Sequence, residues 1–310
     1  MIEVRQLRKV YPGGVEAVAG IDFDVSDGEV FGLLGPNGAG KSTTIGMLTT
    51  TIRPSGGTAI LAGYDVAEQP LAARRVSSVV FQEPVVDRAL SGRRNLELHA
   101  RLWAVDAGAA KARIGELSEA MGIAGLLDRP VAGYSGGERR RLEITRALVS
   151  KPRVLFLDEP TVGLDPRIRH ELLETIGRLQ GASGLTILLT THYLDEAERL
   201  CDRIAVMHEG RIVALDRPEG LRSELGHELV ELRVRDDLAH ALSALQERGI
   251  AGDDAFAVGS TLTVPLRTLS AGQAIAAIND LDLATAITAR EPTLDDVYLR
   301  LTGGRLAAAA

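Results

Sequence analysis

The stretch that decides the fold is VFGLLGPNGAGKS, residues 30–42. Its first five residues are an unbroken apolar run, which is typical of a strand buried on both faces of a mostly parallel sheet. The next eight, residues 35–42, fit the pattern GxxxxGK[ST], and a helical run follows at residues 43–48. A strand, a glycine-rich loop and a helix in this order predict a phosphate site at a helix N-terminus. The sequence therefore predicts a nucleoside triphosphate site in an α/β domain.

Each residue type in that loop has a chemical reason to be there. Glycines allow successive backbone N–H groups to converge on a phosphate. Lys41 has the length and charge to reach the β- and γ-phosphates, and the Ser42 hydroxyl suits a magnesium ion. The alternative is a glycine-rich turn with an incidental lysine, but the chain has four lysines in all, so a chance match is rare.

Two carboxylates follow a second apolar run, residues 154–157, and a third such run lies at residues 186–190. Charge at the carboxyl end of a buried strand faces the crevice in which α/β sheets bind ligands. We expect Asp158 to serve a magnesium ion and Glu159 to orient or deprotonate an attacking water.

The segment Tyr134-Ser135-Gly136-Gly137-Glu138 precedes another helical run. Ser135 and the two glycines offer a hydroxyl and unobstructed N–H groups at a helix start, which would make a second anion site. Ser135 with Glu138 also fits the capping box S-x-x-E, which needs no ligand. Taken alone, the segment leaves both interpretations open.

The pattern of apolar residues predicts an α/β core with two additions. Short strands at residues 2–4 and 21–25 predict an antiparallel edge, and a hairpin at 203–215 closes a large domain, residues 1–222. Helical periods at 90–103, 109–121 and 138–149 predict a helical subdomain inserted at about residues 88–150. Residues 223–303 predict a small α+β domain of the split, ferredoxin-like order βαββαβ. Its strands are expected at 228–234, 256–258, 261–266 and 284–289, and its helices at 238–246 and 270–278, followed by a short helix capped by Thr293. We expect residues 304–310 to be a disordered tail.

Composition excludes several classes of protein. The 310 residues are 45% hydrophobic, as in soluble globular chains, and contain no apolar run of the length of a membrane span. The formal charge of −7, concentrated from residue 223 onward, argues against a nucleic-acid partner. One cysteine, Cys201, excludes a disulfide framework and suits the cytosol.

Taken together, these motifs resemble the ATP-binding subunits of ABC transporters. Six segments match the motifs of that family in its order, namely Walker A (residues 35–42), the Q-loop (Gln82), the signature (135–137), Walker B (158–159), the D-loop (163–165) and the switch histidine (His192). Tyr134, the run Arg139 to Arg141 and the ending EPTLDDVYL, residues 291–299, are most similar to the daunorubicin-resistance-type exporter branch.

The resemblance implies a homodimer in which each ATP lies between Walker A of one chain and the signature of the other. It implies catalytic roles for Glu159, His192, Lys41 and Gln82, and magnesium binding by Ser42, Gln82 and Asp158. The residues implied to bind ATP are Tyr11, Gly35, Pro36, Asn37, Gly38, Ala39, Gly40, Lys41, Ser42, Thr43, Gln82, Ser135, Gly136, Gly137, Asp158 and Asp165. Separately encoded transmembrane permease subunits would hold the cytoplasmic chain at the inner face of the cell membrane.

One residue departs from the family pattern. Glu138 stands where many members have glutamine, so it adds negative charge near the place where a nucleotide would dock. Three other functions compete with an exporter ATPase: a soluble ABC ATPase acting on ribosomes or DNA, a Walker-type kinase and an importer ATPase. The single cassette and the acidic tail disfavour a soluble ABC ATPase. A Walker-type kinase would leave residues 135–137 and His192 unexplained. The C-terminal ending argues against an importer ATPase.

Overall fold

A computed structural model describes residues 1–235 and 237–303. The chain divides into two compact units, with the boundary between Ile212 and Val213. The predicted end of the large domain, residue 222, lies ten residues beyond that boundary. The predicted tail, residues 304–310, lies outside the described residues.

The first unit alternates strands and helices. In chain order its elements are β1 (Ile2–Val10), β2 (Glu16–Val25), β3 (Val30–Leu34), α1 (Lys41–Leu48), β4 (Gly56–Leu61), β5 (Tyr64–Asp65), α2 (Pro70–Arg75), β6 (Ser77–Val80), α3 (Gly92–Leu102), α4 (Ala107–Ala120), α5 (Gly136–Val149), β7 (Val154–Asp158), α6 (Pro166–Ser183), β8 (Thr186–Thr191), α7 (Leu194–Leu200), β9 (Arg203–His208) and β10 (Arg211–Asp216), which ends in the second unit.

The core sheet has the strand order β10-β9-β3-β8-β7-β6. The pairs β9–β3, β3–β8, β8–β7 and β7–β6 are parallel, and every residue of β3, β7 and β8 is buried. Unbroken apolar runs therefore form the buried parallel strands that the sequence predicted. The carboxyl ends of β3, β7 and β8 lie at the same edge of the sheet. The glycine-rich loop, residues 35–42, follows β3 at this edge, and the carboxylates Asp158 and Glu159 lie at the end of β7.

The predicted antiparallel edge is wrong in one respect. β1 and β2 are antiparallel, but they form a separate sheet of order β2-β1-β4-β5. β1 pairs with β2 on one side and with β4 on the other, so it has no free side for the core sheet. Both strands are longer than predicted because irregular register, with Gln6 at a φ of 47°, interrupts the alternation of apolar and polar residues.

The inserted segment contains α3, α4 and α5, with 3₁₀ turns at Ala124–Leu126 and Val131–Gly133. Its helices begin where side chains cap them. Ser91, Asp106 and Ser135 each accept a hydrogen bond from a backbone N–H of the first turn. For this reason α4 and α5 start two residues earlier than apolar periodicity predicted.

The second unit contains α8 (Pro218–Ser223), β11 (Glu228–Val234), α9 (Leu238–Glu247), β12 (Phe256–Val258), β13 (Thr261–Leu266), α10 (Ala271–Asn279), β14 (Ala284–Arg290) and α11 (Leu294–Thr302). Its sheet has the order β12-β13-β11-β14, and each neighbouring pair is antiparallel. Val230, Leu232 and Val264 of this sheet form a buried core with Leu245 of α9 and Ile278 of α10. Thr293 caps α11, and Asp296 closes a capping box with it, as Thr293 in the sequence led us to expect.

Candidate nucleotide site

The loop between β3 and α1 has a backbone that requires glycine. Gly38 and Gly40 have φ values of 85° and 103°, a region that side chains disfavour. A Cβ at Gly40 would lie 2.4 Å from the Ala17 carbonyl oxygen, and one at Gly35 would lie 2.4 Å from that of Met207. The loop is therefore held closely against neighbouring backbone, and its own N–H groups can line a phosphate site at the start of α1.

Lys41, the first residue of α1, is buried within that loop. Its Nζ donates to the carbonyl oxygens of Gly35 at 2.9 Å and Pro36 at 3.1 Å. The same atom lies 3.1 Å from Glu159 Oε1. Lys41 and Glu159 are 4% and 5% exposed, so this ion pair lies in a region that largely excludes water.

Asp158 ends β7 and connects three elements. Its Oδ1 accepts a hydrogen bond from Ser42 Oγ of α1 at 3.0 Å and another from Thr190 Oγ1 of β8 at 2.7 Å. Because Thr190 also accepts a hydrogen bond from the Glu159 N–H at 2.9 Å, it fixes both neighbouring carboxylate residues. Thr190 was not predicted as a site residue, because it lies within a run of apolar residues that forms a buried strand.

Glu159 lies between a cation and a histidine. Its backbone has a φ of 45°, which is uncommon for a residue other than glycine. Its Oε2 lies 3.4 Å from His192 Nδ1, and the His192 ring packs against the Tyr193 ring with the centroids 4.1 Å apart and the planes tilted by 43°. Three predicted site residues that are well separated in the sequence thus meet at the carboxyl edge of the sheet, namely Lys41, Glu159 and His192.

A cleft of about 440 Å³ is bordered by Lys41 and Glu159. It is lined by Tyr11, Val15, Ala17, Asn37, Gly38, Gly40, Lys41, Ser42, Thr43, Gln82 and Glu159. The Tyr11 hydroxyl lies 3.4 Å from Thr43 Oγ1, and Gln82 is an exposed residue of the lining. Half of the sixteen predicted ATP-binding residues therefore border one concave surface, and Gly35, Pro36, Ala39 and Asp158 lie in the adjoining loop and strand without lining it.

Residues 135–137 and Asp165 are not among the described residues that line this cleft. Ser135 Oγ accepts from the Glu138 N–H at 3.2 Å, and Glu138 Oε2 accepts from the Ser135 N–H at 2.7 Å, so the predicted capping box is present. Asp165 caps α6. A Cβ at Gly137 would lie 2.5 Å from Ile168 Cγ2, so the start of α5 packs closely against the start of α6.

Arg140 of α5 is a second residue of the site that was not predicted from the sequence. It is 7% exposed and donates to the carbonyl oxygens of Glu159, at 2.9 Å, and Pro160, at 2.7 Å. Nothing local in the sequence announces these contacts, because all of the carbonyl acceptors lie 18 or more residues away in the chain.

Glu196 of α7 forms a third unpredicted connection. It is fully buried, and its carboxylate accepts hydrogen bonds from the hydroxyls of Thr161 and Thr191. Burial raises the pKa of Glu196. These contacts join the segment that leads to Asp165 with the residue that precedes His192.

The donor set fits a magnesium ion whose remaining ligands come from substrate. The described residues contain no group of three or more His, Cys, Asp or Glu side chains able to hold a metal on their own. Ser42 Oγ and Asp158 Oδ1 are nevertheless 3.0 Å apart beside the cleft. Magnesium commonly takes one or two protein ligands together with phosphate oxygens and water.

Among the described helices, none has the length and apolar character needed to cross a bilayer.

The sequence profile of the ABC transporter family matches residues 18–162. The chain is 42% identical to the daunorubicin/doxorubicin resistance ATP-binding protein DrrA of Streptomyces peucetius, over 97% of this chain and 92% of that protein. The chain belongs to the ABC transporter ATP-binding proteins. This ABC ATPase is also 40% identical to the doxorubicin resistance ATP-binding protein DrrA of Mycobacterium tuberculosis, with 97% and 93% of the two chains covered. It is 40% identical to the Nod factor export ATP-binding protein I of Burkholderia lata, with 97% of each covered.

Solved structures give the same result for the fold. CbiO1 of Clostridium perfringens, part of the ABC transporter complex CbiONQ, is 31% identical with a TM-score of 0.67, covering 72% of this ABC ATPase and 90% of that chain. A bacterial ABC transporter cassette solved as a dimer shares the fold with a TM-score of 0.64 at 23% identity, covering 70% and 98% of the two chains. The predicted P-loop core of the ABC type is confirmed.

Proposed function

We propose that this ABC ATPase powers a multi-subunit exporter from the inner face of the cell membrane, together with separately encoded permease subunits. The observation that carries the proposal is the cluster of the buried pair Lys41 and Glu159 with the half-buried His192, which lies beside Ser42 and Asp158 at the carboxyl edge of the core sheet. The direction of transport is supported by relatives that are named for drug resistance and Nod factor export and that align over nearly the whole chain.

In the proposed reaction, backbone N–H groups of the loop between Asn37 and Thr43, together with the Lys41 side chain, bind the ATP phosphates, and Tyr11 stacks on the adenine. The γ-phosphate replaces the Glu159 carboxylate as the partner of Lys41, because a dianionic phosphate is the stronger acceptor. Glu159 is then free to accept a proton from the attacking water. His192, which now lies 3.4 Å from Glu159, would contact the γ-phosphate.

A magnesium ion would be held by Ser42, Asp158 and Gln82, and it would neutralise charge on the β- and γ-phosphates. Ser42 and Asp158 bond to each other in this structure, and Thr190 keeps the Asp158 carboxylate oriented towards Ser42. Gln82 borders the same cleft, so it can reach the ion from the exposed side.

The second half of each site would come from a partner copy of the chain. Ser135, Gly136 and Gly137 lie at the N-terminus of the 14-residue helix α5, away from the cleft of their own chain. A helix N-terminus with a hydroxyl and small residues suits a phosphate. In this arrangement ATP closes a homodimer, and Asp165, at the start of α6, lies near the interface.

We also propose that the chain consists of two domains. Residues 1–222 would form the nucleotide-binding domain, and residues 223–303 a ferredoxin-like accessory domain. The alternation β11-α9-β12-β13-α10-β14 and the antiparallel order β12-β13-β11-β14 support this fold. We expect the transported substrate to be an amphipathic drug or a lipid-like molecule, by analogy with the named relatives.

A co-purification experiment tests the exporter. The Glu159→Gln variant, tagged and expressed in its source cells, is captured from detergent extract with and without ATP and magnesium, and partners are identified by mass spectrometry. Recovery of one polytopic membrane protein is the expected result, and Lys41→Ala is the matched variant that should reduce any ATP-dependent recovery. Recovery of ribosomes or of DNA-repair proteins, without a membrane protein, would reassign the chain to the soluble ABC ATPases.

A further inference from the structure

Arg140 lies in the second turn of α5, the helix whose first turn carries the signature residues 135–137. A guanidinium has five N–H donors in a fixed plane, and all five of Arg140 have an acceptor. The acceptors are the carbonyl oxygens of Phe81, Asp158, Glu159 and Pro160 and the carboxylate of Glu143. Such complete use of a buried guanidinium indicates that its position is tightly fixed.

Three of the acceptors are consecutive carbonyls around the proposed catalytic carboxylate. Arg140 Nη2 lies 3.4 Å from the Asp158 oxygen and 2.9 Å from the Glu159 oxygen, and Nε lies 2.7 Å from the Pro160 oxygen. The backbone turns sharply at this point, where Glu159 has the uncommon φ of 45°. A non-glycine residue in this conformation costs about 1–2 kcal/mol, so it needs surrounding contacts to hold it. Arg140 supplies three of those contacts, and the Thr190 hydroxyl supplies another through the Glu159 N–H.

The remaining two acceptors lead to Gln82. Arg140 Nη1 donates to the Phe81 carbonyl at 2.6 Å, immediately before Gln82, and to Glu143 Oε2 at 3.1 Å. The other oxygen of Glu143 accepts from the Val85 N–H at 3.1 Å, beyond Gln82. Glu143 is 2% exposed, and its burial raises the pKa of that carboxyl. The backbone on both sides of Gln82 is thus attached to α5.

We propose that Arg140, held by Glu143, is a positioning residue that joins the signature helix to Glu159 and Gln82 of the same chain. Because α5 is continuous from Gly136, movement of its first turn onto the ATP of the partner subunit also moves Arg140. The carbonyls of residues 158–160 and of Phe81 follow the guanidinium, so closure at the partner's ATP sets the catalytic geometry of the chain's own site. The inference rests on the proposed ATP-bound dimer, in which Arg140 would couple the two nucleotide sites.

The test compares Arg140→Lys with Arg141→Lys. Lysine keeps the charge but has three donors on one atom, so it cannot serve five separate acceptors. Arg141 is a matched control on the same helix, since it too bonds a carbonyl, that of Met121 at 3.1 Å, and a carboxylate, that of Glu171 at 3.4 Å. Its contacts lie away from the turn at residues 158–160 and from Gln82.

We expect Arg140→Lys to bind ATP with a KM within about twofold of wild type and to lose about ten- to a hundredfold in kcat, because small displacements of catalytic groups have effects of this size. The Hill coefficient for ATP should fall towards one in Arg140→Lys and stay unchanged in Arg141→Lys. Melting temperatures and circular dichroism confirm that each variant is folded.

Two results would overturn the inference. A kcat within twofold of wild type, with the Hill coefficient retained, would show that the Arg140 contacts do not set the catalytic geometry. Equal losses in ATP binding and kcat, or the same losses in Arg141→Lys, would indicate a structural role alone. If wild-type protein itself does not hydrolyse ATP, the proposed function fails, which is a separate outcome.

Discussion

Replacing Lys41 by alanine removes the cation that lies 3.1 Å from the Glu159 carboxylate. Glu159 is 5% exposed, so its charge would remain buried without that partner. Removing one member of a buried ion pair costs about 3–5 kcal/mol, because the desolvated charge that remains is uncompensated. We therefore expect Lys41→Ala to lower the free energy of unfolding of the nucleotide-free protein by about this amount.

A double-mutant cycle tests whether the uncompensated charge of Glu159 causes the loss of stability in Lys41→Ala. In Lys41→Ala/Glu159→Gln the uncompensated charge is gone, so the double variant should be more stable than Lys41→Ala, with an interaction energy of about 1–3 kcal/mol. Urea unfolding followed by circular dichroism measures each free energy. Lys111→Ala, at an exposed position on α4, is the matched control and should change stability by less than about 0.5 kcal/mol.

We also expect Lys41→Ala to weaken ATP binding. Loss of a charge-assisted contact to phosphate costs about 1.5–3 kcal/mol, so calorimetry should show affinity weakened by about ten- to a hundredfold in Lys41→Ala. The reasoning is refuted if Lys41→Ala is as stable as wild type, or if the double variant recovers nothing. Unchanged ATP affinity would reject the assignment of Lys41 to the phosphate site.

Three further predictions concern other positions. Thr190→Val removes the hydroxyl that joins the Glu159 N–H to Asp158, and should lower stability by about 1–3 kcal/mol and kcat by more than tenfold, as measured by urea unfolding and phosphate release. Burial, aided by Arg146, lowers the pKa of His99 to about 4. Stability should therefore fall by up to about 3 kcal/mol as pH drops from 6.5 to 4, where the unfolded chain binds the proton first, and His99→Leu should flatten that part of the curve. Glu138→Gln keeps an oxygen for the Ser135 N–H but removes a charge, so the KM for ATP should fall with little change in melting temperature; an unchanged KM and rate would show that the charge does not oppose ATP binding.

The core sheet and the phosphate loop could be predicted because each depends on residues that are close together in the sequence. β3 coincides with the predicted residues 30–34, and β11, β12 and β13 also coincide with their predicted bounds. In each case turn residues lie next to a short apolar or alternating run, which fixes both ends of a strand. The capping box at Ser135 was readable for the same reason, since its two partners are three residues apart.

What the sequence did not reveal depends on contacts between distant residues. Arg140 was one arginine in a run of three, and only the fold brings it to carbonyls at residues 81 and 158–160. Thr190 was counted as part of an apolar strand, although its hydroxyl orients Asp158. The full length of β1 was hidden by its bulge near Gln6, where period-two alternation breaks. Side-chain roles of this kind follow from topology rather than from local pattern.

ATP-dependent dimerisation of Glu159→Gln would show that two chains share each nucleotide and that Glu159 is needed for its hydrolysis. The purified variant is passed over a sizing column with multi-angle light scattering, with and without ATP and magnesium. We expect a species of twice the chain mass of 33.0 kDa with ATP, a monomer without it, and no measurable phosphate release. A variant that stays monomeric with ATP and hydrolyses it at the wild-type rate would contradict both the role of Glu159 and the shared nucleotide site.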